Sequence, residues 1–205
     1  IGKPLGIELG GEASGLMPDP LWKKAHFATP EDREARNDEW YLGDTYHVAI
    51  GQGYLLVTPI QVNTWTNIIA NKGAACRPTI KKVTGTRPQE TNCKDVVVKN
   101  ETVDLITKGM KKACEPGGTG WPLFEFGIHK FDQSDKLVKI PVACKTGTAE
   151  FGDPKNKTHA WFTAFAPIPS DLASKGEALQ GSPEMLTGDP EISVTVLVEG
   201  AGEGS

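Results

Sequence analysis

Apolar and polar positions alternate with period two in several stretches of the chain. Ile192, Val194, Val196 and Val198 alternate with Ser193, Thr195 and Glu199, the pattern of a half-buried strand. In the run 140–150, alternation sets Val142, Cys144, Thr146 and Thr148 on one face and Ala143, Lys145, Gly147 and Ala149 on the other. A third run, Ala160 to Ile168, opened by His159, is apolar on both faces and therefore belongs at the centre of its sheet. Helical spacing appears elsewhere. Thr58 followed by Pro59 is an N-cap and first-turn proline, Val62, Trp65 and Ile69 form a core-facing stripe, and Asn71-Lys72-Gly73 supplies the stop. Asn100 reads as the cap of a second helix, with Glu101 and Asp104 near its start and Lys108, Lys111 and Lys112 towards its end. Its apolar stripe is Val103, Ile106, Met110 and Ala113. The pattern predicts an α/β (α+β) piece: an antiparallel sheet with strands at 140–150, 159–168 and 192–199, flanked by helices near 58–72 and 100–114.

The intervening segments are read from their turn residues. The glycine-rich start, Ile1 to Met17, suggests an extended segment, and Pro18 to Asn37 a surface excursion pinned by Trp22 and Phe27. Gly51-Gln52-Gly53 has the form of an ordinary tight turn whose glutamine can satisfy nearby backbone groups. Ala75 to Val98 alternates turn residues with short β-type runs such as Thr79-Ile80 and Val96-Val97-Val98, and predicts a small hairpin. Ser170 to Pro190 is a long polar connection.

Composition narrows the function. The 205 residues, 38% of them hydrophobic, suffice for one packed domain. A net charge of −4 with both signs interspersed offers no basic field for nucleic acid and no polybasic patch for anionic lipid. No apolar run is long enough for a membrane span, and no leader pattern is present. Cys76, Cys93, Cys114 and Cys144 include no C-x-x-C pair, and His26, His47, His129 and His159 are scattered, so neither a metal site nor a cofactor is expected. Cys114 and Cys144 read as small buried hydrophobes; Cys76 and Cys93 are open to either a disulfide or free thiols. Pro116-Gly117-Gly118-Thr119-Gly120 lacks phosphate-loop spacing and follows a helix rather than a strand, which excludes nucleotide binding there.

The chemistry concentrates where the apolar run at 140–144 turns polar. Gly147 leaves room for another backbone or a ligand, while Lys145, Thr146 and Thr148 offer a cation, two hydroxyls and a row of amides. Such a strand edge suits an extended peptide that ends in a carboxylate. Lys145-Thr146-Gly147-Thr148 resembles the K-T-G box of penicillin-binding proteins and serine β-lactamases. Several further runs are similar to class B penicillin-binding proteins, the peptidoglycan D,D-transpeptidases, and closest to the elongation-type penicillin-binding protein 2 subfamily. They are Ala149-Glu150-Phe151-Gly152, His159 to Pro167, Gly43 to Tyr54, Thr58-Pro59-Ile60-Gln61, and Gly11 to Pro18 with Trp22-Lys23.

The resemblance implies serine acyl transfer from the D-alanyl-D-alanine end of a peptidoglycan stem peptide, with β-lactam antibiotics entering the same way. It implies that the Thr148 amide is an oxyanion donor, that Thr146, Gly147 and Thr148 bind the substrate, and that Lys145 supplies positive potential and assists proton movement. It further implies an extracytoplasmic enzyme anchored by an N-terminal helix, working with cell-wall partners such as a glycosyltransferase. The same enzymes use an S-x-x-K pair and an S-x-N element. None of Ser14, Ser134, Ser170, Ser174, Ser182, Ser193 and Ser205 has lysine three residues on or asparagine two residues on. Residues 1–205 are thus expected to be a C-terminal portion of a transpeptidase domain, without its nucleophile and without its final helix, and inactive alone. A serine β-lactamase or β-lactam sensor, and a non-catalytic pseudo-transpeptidase scaffold, are the rival readings.

Overall fold

The computed structural model describes residues 2–81, 93–95, 98–124, 126–129, 137–169, 172 and 184–202. In chain order the elements are α1 (Pro20–His26), α2 (Pro30–Glu34), α3 (Leu42–Ala49), α4 (Pro59–Ala70), β1 (Ala74–Cys76), β2 (Cys93–Asp95), α5 (Asn100–Ala113), β3 (Gly127–His129), β4 (Leu137–Lys139), β5 (Ala143–Glu150), β6 (Thr158–Ala166), β7 (Glu184–Met185) and β8 (Ile192–Val198). The three alternating or apolar runs pair as the antiparallel sheet β5-β6-β8, with the doubly apolar strand β6 in the middle. Register aligns Lys145, Thr163 and Thr195 in one row across the sheet. A second, short sheet, β3-β4-β7, mixes antiparallel and parallel pairing, and its runs of two or three residues are too short to show as a pattern in the sequence.

The helices α4 and α5 cover one face of the main sheet. Ala70 of α4 and Met110 of α5 close on Ala143, Phe165 and Ile168, and that cluster is the principal core. On the opposite face Val142, Cys144 and Ala164 pack with Cys114. The start of α4 follows its local sequence: Thr58 Oγ1 accepts from Gln61 N at 3.3 Å while Gln61 Oε1 accepts from Thr58 N at 3.0 Å, a capping box with Pro59 at the first position. At its end Lys72 and Gly73 both adopt positive φ, as a helix stop requires.

Several details differ from the sequence expectation. The buried residues of α4 are Gln61, Thr66 and Ala70, whereas Val62, Trp65 and Ile69 are only half-buried. The reason is a polar seam: the Thr66 and Thr163 hydroxyls lie 2.7 Å apart, Thr163 and Thr195 another 2.7 Å, and Ser193 donates to Asn67 at 3.0 Å. Hydroxyls that satisfy one another can be buried without the cost of an unpaired polar group. In α5 the buried stripe is Val103, Thr107, Met110 and Cys114, leaving Ile106 exposed. Its N-cap is Lys99, not Asn100, which is the first helical residue.

Cys114 and Cys144 are buried, as expected of small hydrophobes, but they are joined in a disulfide that ties the end of α5 to β5. Cys76 and Cys93 are also bridged, across the β1-β2 hairpin. Thr79-Ile80 is not a strand, and Val96-Val97 and most of Ser170 to Pro190 fall outside the described residues. Strand β5 begins at Ala143, so Ile140 to Val142 precede it outside any strand. The excursion 18–37 contains α1 and α2, each begun by an N-cap oxygen and a proline. Its aromatic anchoring is present: Trp22 and Phe27 both pack on Tyr54, with ring centroids 5.2 and 5.7 Å apart.

Candidate functional site

Among the described residues β5 is an outer strand of its sheet, so the backbone groups it turns away from β6 have no partner within that sheet. The N–H and C=O of one residue in a strand point to the same edge, and alternate residues share that edge. Gln52 identifies which residues these are, because its Nε2 donates to Thr148 O at 2.9 Å and its Oε1 accepts from Glu150 N at 3.3 Å. Thr148 and Glu150 therefore face outward, and by alternation so do Thr146 and Cys144. The tight turn 51–53 is thus a clasp on the end of this strand, which is more than the sequence pattern implied. Gly51 and Gly53 both have positive φ, and a Cβ on Gly53 would press on His47 Cβ at 3.0 Å.

The segment that carries Gln52 is itself held by a nearly buried ion pair. Lys23 Nζ lies 2.7 Å from Asp44 Oδ2 and over the rings of Tyr41 and Tyr54, at 5.2 and 5.9 Å from their centroids. The side chains of Lys23 and Asp44 are 7% and 13% exposed, so neither charge is well solvated. Burial pushes the Asp44 carboxyl up, but the Lys23 ammonium and the Tyr41 amide together outweigh it and hold the group below the usual carboxylate range. Asp44 also accepts from Tyr41 N at 2.8 Å and so fixes the start of α3. From the other side, Gln61 is almost fully buried and donates to the carbonyls of Lys3 and Ser14, while Leu16 and Leu56 form a β-bridge. These contacts bind the glycine-rich start of the chain to the frame behind the turn.

Beside β5 lies a groove of about 680 Å³ whose walls include Gln52, Lys145, Thr146, Gly147, Thr148, Leu56, Val62 and Trp161. All four residues of the K-T-G-T run line it. Lys145 is exposed, and its ammonium donates to Thr146 O at 2.5 Å. Thr146 donates through Oγ1 to Thr119 Oγ1 at 2.9 Å. The position a Gly147 side chain would take lies 3.3 Å from Trp161 Cβ on β6, so the close neighbour at this glycine belongs to the adjacent strand. At the far end His159 stacks on Phe151, centroids 4.1 Å apart, and accepts from Gly200 N at Nδ1. The other histidines do not enter the groove's walls, and among the described residues no His, Cys, Asp or Glu cluster could hold a metal ion.

Two contributors had little signal in the sequence. Gln52 is separated from its partners by almost half the chain, and Thr119 sits in the glycine-rich return after α5. What could have found Thr119 is its place between Gly118 and Gly120, in a loop leading back to β5.

A carbonyl-and-amide edge, a cation and hydroxyls beside a groove form an arrangement suited to an extended anionic peptide. The family model for the penicillin-binding protein transpeptidase domain matches residues 1–172. The chain belongs to the penicillin-binding protein transpeptidase-domain family. A curated relative, the peptidoglycan D,D-transpeptidase MrdA of Escherichia coli, is 29% identical over 221 residues, covering 97% of this chain and 28% of the relative. The chain thus spans less than a third of that relative's length. Among solved structures of the family, Pseudomonas aeruginosa PBP2 in complex with WCK 5153 superposes with a TM-score of 0.65 at 29% identity, over 99% of this chain and 37% of the other. Helicobacter pylori PBP2 in complex with MreC gives a TM-score of 0.64 at 28% identity, over 97% and 30%. The penicillin-binding protein fold is therefore that of the β5-β6-β8 sheet and its helices, as the resemblance implied.

Proposed function

We propose that the full-length protein is a peptidoglycan D,D-transpeptidase of the elongation type and that residues 1–205 supply the substrate-gripping strand of its catalytic domain. The observation that carries this reading is the outward edge at Thr146 and Thr148, set beside Lys145 in a groove, in a chain of the transpeptidase-domain family. A stem peptide ending in D-alanyl-D-alanine would lie antiparallel or parallel along β5 and pair with that edge. Its terminal carboxylate would take hydrogen bonds from the hydroxyls of Thr146 and Thr148, and Gly147 keeps the strand slim between them. The Thr148 N–H would point at the carbonyl oxygen under attack. Such a donor is already in place before charge develops, and its loss typically costs about 3 to 4 kcal/mol of transition-state stabilisation.

Lys145 adds positive potential to the same end of the groove and supports movement of the nucleophile's proton. The nucleophile is a serine that lies outside these 205 residues, since no serine here has the S-x-x-K or S-x-N context. The reaction forms an acyl-serine ester and releases D-alanine; an amine of a neighbouring stem then takes the acyl group and frees the serine. β-Lactams carry a carboxylate and a reactive amide at a comparable separation and would acylate the same serine.

The catalytic domain works on the outer side of the cytoplasmic membrane, where peptidoglycan is, and is anchored by a part of the protein outside these residues. An MreC-like scaffold, as in the H. pylori complex, and a glycosyltransferase are the partners this assignment calls for. The test is incubation of the full-length protein with D-alanyl-D-alanine-terminated stems on glycan strands. Release of D-alanine together with new peptide cross-links supports the proposal. Rapid β-lactam hydrolysis without cross-links would replace it with a β-lactamase, and neither activity would leave a non-catalytic scaffold.

A further inference from the structure

Thr146 does not stand alone on its strand. Its hydroxyl donates to Thr119 Oγ1 at 2.9 Å, and Thr119 comes from the loop that returns from α5. That loop is seated closely. Gly120 N donates to Ala113 O at 2.7 Å, and a Cβ on Gly120 would run into Cys144 Sγ and crowd Cys114 Sγ at 3.3 Å. A Cβ on Gly118 would collide with the carbonyls of Lys112 and Ala113. The loop therefore lies directly on the Cys114–Cys144 disulfide, one residue before Lys145, and Thr119 is the side chain it presents to Thr146.

We infer that Thr119 is a positioning residue for the substrate carboxylate, acting as a proton-donating partner behind Thr146; this rests on the transpeptidase reading above. The chemistry follows from counting protons. A hydroxyl has one proton and two lone pairs, whereas a carboxylate only accepts. With the groove empty, Thr146 spends its proton on Thr119. To donate to a carboxylate it must turn that proton away, and its oxygen then accepts the proton of Thr119. The pair reverses into a chain, Thr119 to Thr146 to carboxylate, in which each bond polarises the next. Without the Thr119 hydroxyl, Thr146 holds the carboxylate with an unassisted donor whose rotor nothing orients.

The test measures second-order acylation rates of the full-length protein by a penicillin and by the methyl ester of the same penicillin, for wild type, Thr119→Val, Thr119→Ala and Thr119→Ser. The expected result is a loss of about tenfold for Thr119→Val and Thr119→Ala with the penicillin, little change between proteins with the ester, and recovery to within about twofold in Thr119→Ser. Equal rates in all four proteins would overturn the inference. So would a loss of equal size on both compounds, which marks a structural role alone. No acylation of the wild-type protein by either compound would instead overturn the transpeptidase reading, and this inference with it.

Discussion

Gln52 and Thr148, 96 residues apart in the chain, are joined by a side-chain amide that donates to a strand carbonyl at 2.9 Å. The same amide accepts from Glu150, so one side chain occupies both kinds of backbone group at the end of β5. Removing it loosens the strand next to the proposed oxyanion donor. Gln52→Ala should slow β-lactam acylation of the full-length protein roughly fivefold, the worth of about 1 kcal/mol of hydrogen bonding. Gln52→Glu, which cannot donate to Thr148 O, should be slowed at least as much. Stopped-flow acylation kinetics check this; unchanged rates in both variants would show that the clasp does not govern the strand.

The Lys23–Asp44 pair stabilises the segment that carries Gln52. Lys23→Met leaves a nearly buried carboxylate without its partner and should cost about 3 kcal/mol at pH 7. Asp44 is held below its ordinary range when folded, so the pair's contribution is full above pH 3.8 and is lost as the pH falls through the lower folded value. The deficit of Lys23→Met should therefore shrink in strong acid. Thermal melts at pH 7 and pH 3 measure it, and an equal deficit at both would contradict the assignment.

Glu8 ties the start of the chain to residues 79–80. It accepts from Thr79 Oγ1 at 2.6 Å and from Ile80 N at 3.0 Å, and these bonds, the Thr79 hydroxyl first, lower its carboxyl from 4.5 to about 2. Because the folded value is the lower one, the attachment is complete above about pH 4.5 and is lost as the pH falls towards 2. An NMR titration should find the Glu8 midpoint near 2 in the wild-type protein and higher in Thr79→Val. A wild-type midpoint at 4.5 would mean that the contact does not persist in solution.

The sheet and its two covering helices were legible because their signals are local. Alternation at Ile192 to Val198, the doubly apolar run of β6 and the Thr58-Pro59 start of α4 each need only a few neighbouring residues. The K-T-G-T run stands out as a candidate site for the same reason, as lysine, glycine and hydroxyls interrupt an apolar strand. What the pattern missed depends on partners distant in sequence. A hydrophobic stripe chose Val62, Trp65 and Ile69 for the core, but Thr66 is buried because Thr163 and Thr195 satisfy its hydroxyl. The Cys114–Cys144 bond spans 30 residues with no spacing rule to announce it. Gln52 looked like a turn residue because its role exists only once β5 is beside it.

The absence of an S-x-x-K serine in these 205 residues has a direct consequence. Residues 1–205 expressed alone should take no covalent label from fluorescent penicillin, while the full-length protein labels. A labelled 205-residue chain, with the label mapped to one of its own serines, would place the nucleophile here and overturn its assignment to the rest of the protein.

The central claim is that the strand edge beside Lys145 grips the anionic end of a peptide or β-lactam so that a serine can attack it. The most direct test is the acylation rate of the full-length protein by penicillin, compared between wild type and Lys145→Ala. The account predicts a fall of roughly a hundredfold or more, the scale of losing an electrostatic contact to the reacting group. A variant that acylates as fast as wild type would contradict it.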